Sequence, residues 1–520
     1  MKLFHFLPEF LLLLPSLGLT AEAVPHSGGK RAAGRVVEAP AGTFSGTTSR
    51  YRDDVVAYLG IPYAKPPVGD LRFAAPQKLG KLDGVFDASK FGPDCPTNKI
   101  EVTGNLTTPA GTKILHALSQ QDTPISEDCL TLSIWVKDNG ETGKPVIIWI
   151  YGGGFVTGSV SIPLYDGSYF ASDEDVIFVG VSYRLNIFGF PGAPGLPDQN
   201  LGLRDIRLAV EWVRDNIAAF GGDPERMVLQ GESAGAGAVD LWAYAYADDP
   251  IVEGLIAQSG AVPSSSAGIG KPGSSWYEAS EKLGCGGESA GDSTIECMRS
   301  KSVDELLSVT SSFGSIGEGV SFFPQADNVT VFSDYEERGE SGNFAHIPLL
   351  NGNNDHEQGF FKLFNPDIPD SLLRLVGLTF TCGSRSASNY RADNGVPVWR
   401  YRYYGEFPNT RLFDGSGAYH SSEIFTLFGT AEPVTGFENT PEQEAFGDNI
   451  RHAWSTFARD PVNGLAELGW PKWQTWTRSL VQLGYNNNPE ASFTYGVIHD
   501  AACRLFDGIT GLGQFVGLRK

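Results

Sequence analysis

The sequence predicts an α/β protein with a large central, mostly parallel sheet flanked by helices and elaborated by loop and helical insertions. Three observations predict it. Pro145-Val-Ile-Ile-Trp-Ile150 is an uninterrupted apolar run that ends in glycines, as a strand buried on both faces does. Leu203 to Ala219 places Ile206, Ala209, Val210, Val213 and Ile217 at three- and four-residue spacing, with Asp205, Arg207, Glu211, Arg214 and Asp215 between them. That is an amphipathic helix, stopped at Gly221-Gly222. Strand-like and helical stretches then alternate along the chain, the order of a parallel sheet covered on both faces.

Taken from the N-terminus, Met1-Lys2 opens an apolar stretch that runs through Leu11-Leu12-Leu13-Leu14 to Leu19 and reaches Ala21-Glu22-Ala23. A basic start, a short apolar run and a small-x-small site read as a signal peptide over 1–23, with Lys30-Arg31 as a candidate second processing point. Pro8, Glu9 and Pro15 interrupt the run, which is too short to span a bilayer. Residues 24–520 carry no repeat period, heptad pattern or low-complexity linker, so one domain with insertions is expected. Further strands are expected at Val176–Ser182, Met227–Gln230, Ile347–Leu350 and Val396–Tyr401. Helices are expected from Ala234 to Asp248 and from Glu442 to Arg459.

Composition narrows the function. Hydrophobic residues make up 41% and charged ones 19% of the 520, which is globular rather than disordered usage. A formal charge of −22 argues against nucleic acid and anionic membrane surfaces as partners, because both need a local excess of Lys and Arg. Six cysteines fit the oxidising, extracellular destination that a signal peptide implies. Proximity suggests Cys95–Cys129 and Cys285–Cys297, leaving Cys382 and Cys503 as a long-range pair or two free thiols. No CxxC or clustered Cys/His spacing points to a metal. Asn105-Leu-Thr and Asn328-Val-Thr are glycosylation sequons.

A nucleophilic serine needs a sharp turn that lifts its hydroxyl clear of the sheet, with small residues on either side; G-x-S-x-G encodes this. Gly-Glu-Ser-Ala-Gly occurs twice, at 231–235 and 287–291. Context separates the copies. Gly231 follows the strand Met227–Gln230, and Ala234 opens a run able to form the next helix. Ser289 follows Gly284-Cys-Gly-Gly in a polar loop between Cys285 and Cys297, with no strand to hold a strained turn. Ser233 is therefore the candidate nucleophile and Ser289 a surface serine. Tyr151-Gly-Gly-Gly-Phe155 ends the strand 145–150, and its glycines let the main chain approach a substrate closely. Gly153, Gly154 and Ala234 are assigned as oxyanion donors.

Together with these motifs, Ser126-Glu-Asp-Cys-Leu-Thr-Leu132, Phe220-Gly-Gly-Asp-Pro224 and Leu59-Gly-Ile-Pro-Tyr-Ala64 resemble the type-B carboxylesterase/lipase family. That family includes cholinesterases and extracellular fungal esterases and lipases. The resemblance runs from about residue 55 to 430. It implies the α/β-hydrolase fold, carboxylic-ester hydrolysis without a cofactor, triad order Ser, Glu, His, and a disulfide bounding the loop before Ser126–Leu132.

A serine hydroxyl needs an imidazole to take its proton and a carboxylate to orient that imidazole. Of eight histidines, His420 stands in Gly415-Ser-Gly-Ala-Tyr-His-Ser-Ser-Glu423, a loop after a strand that can bring an imidazole over the sheet edge. It resembles the family's catalytic-histidine loop, including Glu423 and Phe428-Gly429. His116 falls in the polar loop before Cys129, and His452 in a helix. For the acid, Asn351-Gly-Asn-Asn-Asp-His-Glu357 offers Asp355 and Glu357, and the residues alone permit either. The family places a glutamate five residues after the glycine ending this strand; Gly352 to Glu357 has that spacing, although Gln358 stands where the family usually has glycine.

Cholinesterases hold a quaternary ammonium against aromatic rings, with a key tryptophan in the first disulfide loop. Pro96 to Asp128 contains no Trp, Tyr or Phe, which argues against choline esters. Family lipases use the same loop as an apolar flap, and Ile100, Val102, Leu106, Ile114, Leu115 and Leu118 allow one here. A general carboxylesterase is expected, with a lipase as the alternative and a non-catalytic binding role as a remote third. The pocket shape that fixes the ester, and the oligomeric state, are not encoded in any motif.

Overall fold

The computed structural model describes residues 35–100, 107–120, 123–262, 273–312, 319–364 and 366–503. The expected signal segment, Lys30-Arg31 and Asn105 lie outside them. Fourteen strands are described: β1 (Val36–Ala39), β2 (Gly42–Ser45), β3 (Thr47–Thr48), β4 (Val55–Pro62), β5 (Val85–Asp87), β6 (Thr131–Lys137), β7 (Lys144–Ile150), β8 (Ile177–Val181), β9 (Gly222–Glu232), β10 (Gly254–Gln258), β11 (Leu349–Asn354), β12 (Val398–Tyr403), β13 (Leu480–Leu483) and β14 (Ser492–Thr494). β1, β2 and β5 make a small sheet, and the other eleven make the central one in the order β14-β13-β12-β11-β10-β9-β7-β8-β6-β4-β3. Pairing is parallel from β13 through to β8 and antiparallel at both margins. The mostly parallel α/β architecture is the one the sequence predicts.

The helices that bear on the site are α1 (Pro109–Leu118), α2 (Leu201–Asn216), α3 (Ala234–Ala245), α4 (Gln358–Phe361), α5 (Asp370–Asp393), α6 (Ser422–Leu427) and α7 (Pro441–Arg459). Val146 to Ile150 are wholly buried, which explains why β7 carries no alternation. β8 lies on one side of β7 and β9 on the other, so the strand order reverses at β7 and opens a crevice at the carboxyl ends of β7 and β9. The glycines after β7 and Ser233 after β9 both lie there.

Several boundaries differ from the sequence reading. The helix from Leu203 begins at Leu201, and after Asn216 it tightens into a 3-10 turn, Ile217–Phe220. β11 starts later than expected and continues through Gly352 to Asn354, because Asn351, Asn353 and Asn354 are buried and hydrogen-bonded through their side chains. The stretch before Cys129 is not wholly a polar loop. It contains α1, capped by the Thr108 hydroxyl, and His116 is an exposed residue on that helix. Ile114 and Leu115 face inward, and Gly111 lies so close to the Leu412 carbonyl that a Cβ would stand 2.3 Å from it.

All six cysteines are paired, as Cys95–Cys129, Cys285–Cys297 and Cys382–Cys503. The third bond joins α5 to the C-terminal region. Among the described residues no helix is long and apolar enough to cross a membrane.

Candidate active site

Ser233 sits between β9 and α3 with φ 56° and ψ −121°, a conformation unfavourable for a residue with a Cβ. The turn has room only for glycine on either side. A Cβ on Gly231 would lie 2.4 Å from the Gly235 carbonyl carbon, and one on Gly235 would lie 2.0 Å from the Ile150 carbonyl oxygen. Gly260, after β10, is held equally tightly against the Ser233 carbonyl. The chain is thereby locked into a shape that presents the hydroxyl at the strand end.

Ser233 Oγ and His420 Nε2 are 2.7 Å apart, and His420 Nδ1 is 2.6 Å from Glu357 Oε2. The other Glu357 oxygen accepts the Asn354 N–H at 2.7 Å, which fixes the carboxylate at the end of β11. The loops bearing acid and base are joined by main-chain bonds: His356 N–H donates to Ala418 and His420 N–H to Glu357. His420 and Glu357 are almost completely buried, whereas Ser233 keeps partial access to solvent. Asp355, the rival acid, is exposed and paired with Arg402 at 2.8 Å. His452 is on the surface beside Glu174.

Gly153 and Gly154 have φ of 110° and 63°, and Gly152 before them lies so close to the serine that a Cβ on it would stand 2.8 Å from Ser233 Cβ. Among the described residues the amides of Gly153, Gly154 and Ala234 have no acceptor. Three uncommitted donors beside a relayed hydroxyl can receive a developing oxyanion. Ser289, by contrast, is exposed on a short 3-10 turn, Glu288–Ala290.

Two further carboxylates are buried beneath the imidazole. Glu232 Oε1 accepts the Ser421 hydroxyl at 2.6 Å and lies 3.3 Å from His420 Nε2. Glu423 accepts from Asn354 at 2.5 Å and from Gln258 at 3.2 Å. Burial, reinforced by Glu232, pushes the Glu423 carboxyl up to about 8, and burial raises Glu232 as well. For His420 burial disfavours the imidazolium, but Glu232, Glu357 and Glu423 outweigh it and hold the pKa up at about 9. The rings of Phe380 and Phe361 pack against the imidazole at centroid distances of 4.5 and 5.2 Å. Glu232 and Glu423 stand inside sequence motifs that give neither a role, and no motif points to Phe380, which arrives from α5.

Fold and site define a carboxylic-ester hydrolase of the α/β-hydrolase class. The model of the carboxylesterase family matches residues 33–374, and the chain belongs to that family. It is 34% identical to secreted lipase 5 of Gibberella zeae, over 93% of this chain and 96% of that protein. It is 35% identical to the chlorogenic acid esterase of Aspergillus niger, over 88% of each. It is also 34% identical to the acetylcholinesterase of Bungarus fasciatus, over 84% of this chain and 80% of the other.

Proposed function

We propose that the protein is an extracellular serine esterase in which Ser233, His420 and Glu357 form the catalytic triad and Gly153, Gly154 and Ala234 the oxyanion hole. The relay of 2.7 and 2.6 Å contacts, beginning at a serine with strained backbone, carries the reading. Ser233 attacks the ester carbonyl while His420 takes its proton, and the three amides stabilise the oxyanion. His420 then protonates the departing alcohol, leaving an acyl-enzyme. Water deprotonated by the same imidazole releases the acid and regenerates the serine.

Extracellular placement is supported by three disulfides, a signal-like 1–23 segment and a relative named as secreted. Residues 24–520 are taken as one catalytic domain, with Asn328 and Asn105 as its glycosylation sequons. The disulfide loop from Pro96 to Asp128 has no Trp, Tyr or Phe, so choline esters are not the expected substrates. The test is turnover of a soluble ester by purified Ser233→Ala. A loss of roughly 10⁴–10⁶ in kcat is expected with the circular dichroism unchanged. Wild-type turnover by that variant would overturn the reading.

A further inference from the structure

Two halves of α5 have opposite surroundings. From Thr381 onward it is anchored: Thr381 accepts from Asn353 at 3.2 Å and from Arg400 at 3.3 Å, Cys382 is bonded to Cys503, and Ser384, Ser388 and Arg391 are wholly buried. Before Phe380 the helix carries apolar side chains outward. Leu372 is 54% and Leu375 42% exposed, and Val376 and Leu378 are only partly covered. Among the described residues of these turns Leu373 and Gly377 face inward, with Gly377 so close to the Gln358 side chain that a Cβ on it would stand 2.6 Å from the amide oxygen.

This apolar strip is continuous with the catalytic centre. Phe380 touches the imidazole of His420 and stacks on Phe361 with centroids 5.9 Å apart. At 1.5 Å per residue, Leu375 and Leu372 lie about 7.5 and 12 Å further along the helix axis. The strip also differs in charge from the whole chain. From 360 to 380 the charged residues are Lys362, Asp367, Asp370 and Arg374, a net of zero in a chain of −22. An uncharged surface suits it; an anionic one would be repelled by the rest of the molecule. The disulfide loop offers less, because Ile100, Ile114 and Leu115 are already buried, while Val102 and Leu106 lie outside the described residues.

We propose that the exposed face of the first three turns of α5 docks the enzyme onto the surface of an aggregated neutral ester, presenting Ser233 to lipid molecules at an oil–water boundary. This rests on the esterase reading and selects its lipase form. Exposed leucines gain by leaving water for lipid, and a helix face of this kind lies flat in the boundary. Phe380 and Phe361 would then be the first rings an acyl chain meets on its way to the serine.

The experiment compares the full chain with Leu372→Glu/Leu375→Glu on two substrates. With p-nitrophenyl acetate in solution, kcat/KM should agree within about twofold. With triolein droplets, adsorption measured by flotation and turnover should both fall at least tenfold in the variant. A wild-type protein that hydrolyses p-nitrophenyl acetate yet does not adsorb to triolein would overturn the docking proposal and leave the esterase reading standing. Equal adsorption by the variant would overturn it too. Sedimentation velocity distinguishes the remaining occupant: a wild-type dimer converted to monomer by the two substitutions would make this face a self-association surface and refute the proposal. No turnover of p-nitrophenyl acetate by the wild-type protein would sink both readings.

Discussion

The same five residues, Gly-Glu-Ser-Ala-Gly, occupy two places with opposite consequences. At 231–235 they close the end of a buried strand, and both glycines are sterically obligatory. At 287–291 a Cβ on Gly287 would meet nothing nearer than the Glu281 carboxyl at 3.8 Å, and one on Gly291 would meet open space. The backbone sharpens the contrast. Ser233 has φ 56° and ψ −121°; in the second copy nearly the same conformation, φ 54° and ψ −134°, falls on Gly291, which takes it without a Cβ clash. In the first copy the serine bears the strain, and the sheet supplies the contacts that enforce it. Motif residues thus specify a candidate, while the strand before and the helix after specify the chemistry.

The comparison can be broken by exchanging side chains. The largest effect after loss of the nucleophile is expected from Glu357→Gln, which keeps the shape but removes the charge that stabilises the imidazolium as it forms; kcat should fall by about 10⁴, measured on a soluble ester. Gly235→Ala forces a methyl against the Ile150 carbonyl and should cost at least about 1–3 kcal/mol, read as a lower thermal midpoint at a fixed scan rate. Gly287→Ala should leave that midpoint unchanged. Because glycine takes the φ of 56° without a Cβ clash, Ser233→Gly should be more stable than Ser233→Ala by about 1 kcal/mol, with neither expected to turn over ester. Ser289→Ala should keep full activity and stability.

The imidazole offers a subtler test. Its neutral form must accept the serine proton, so activity rises with pH as His420 deprotonates, and carboxylates that raise its pKa move that limb upward. Glu232→Gln removes one of those charges and should shift the acid limb of kcat/KM to lower pH. An unshifted limb would mean that Glu232 does not bias the base.

How much of this was legible follows from the kind of signal each residue leaves. Ser233 and the Gly153–Gly154 turn were readable because their backbone shapes demand glycine at fixed offsets. His420 was readable from its glycine-rich loop together with the family resemblance. Glu357 needed the family spacing, since Asp355 is chemically equivalent until the structure shows it facing Arg402 and solvent. Short marginal strands such as β13 and β14 left no clear pattern. The first turns of α5 were missed because Leu372-Leu373-Arg374-Leu375-Val376-Gly377-Leu378 is apolar almost all round and so lacks the two-sided period that marks a helix. Glu232 reaches His420 only through the tertiary fold, and Glu423, though close to His420 in sequence, owes its burial to partners from other strands, Asn354 and Gln258.

Position in the fold, and not the pentapeptide itself, sets Ser233 apart from Ser289. The direct measurement is to treat the purified protein with a fluorophosphonate and map the adduct by peptide mass spectrometry. One adduct per chain is expected, on the peptide containing Ser233, with the Ser289 peptide unmodified. An adduct on Ser289, or full inactivation with Ser233 unlabelled, would contradict it.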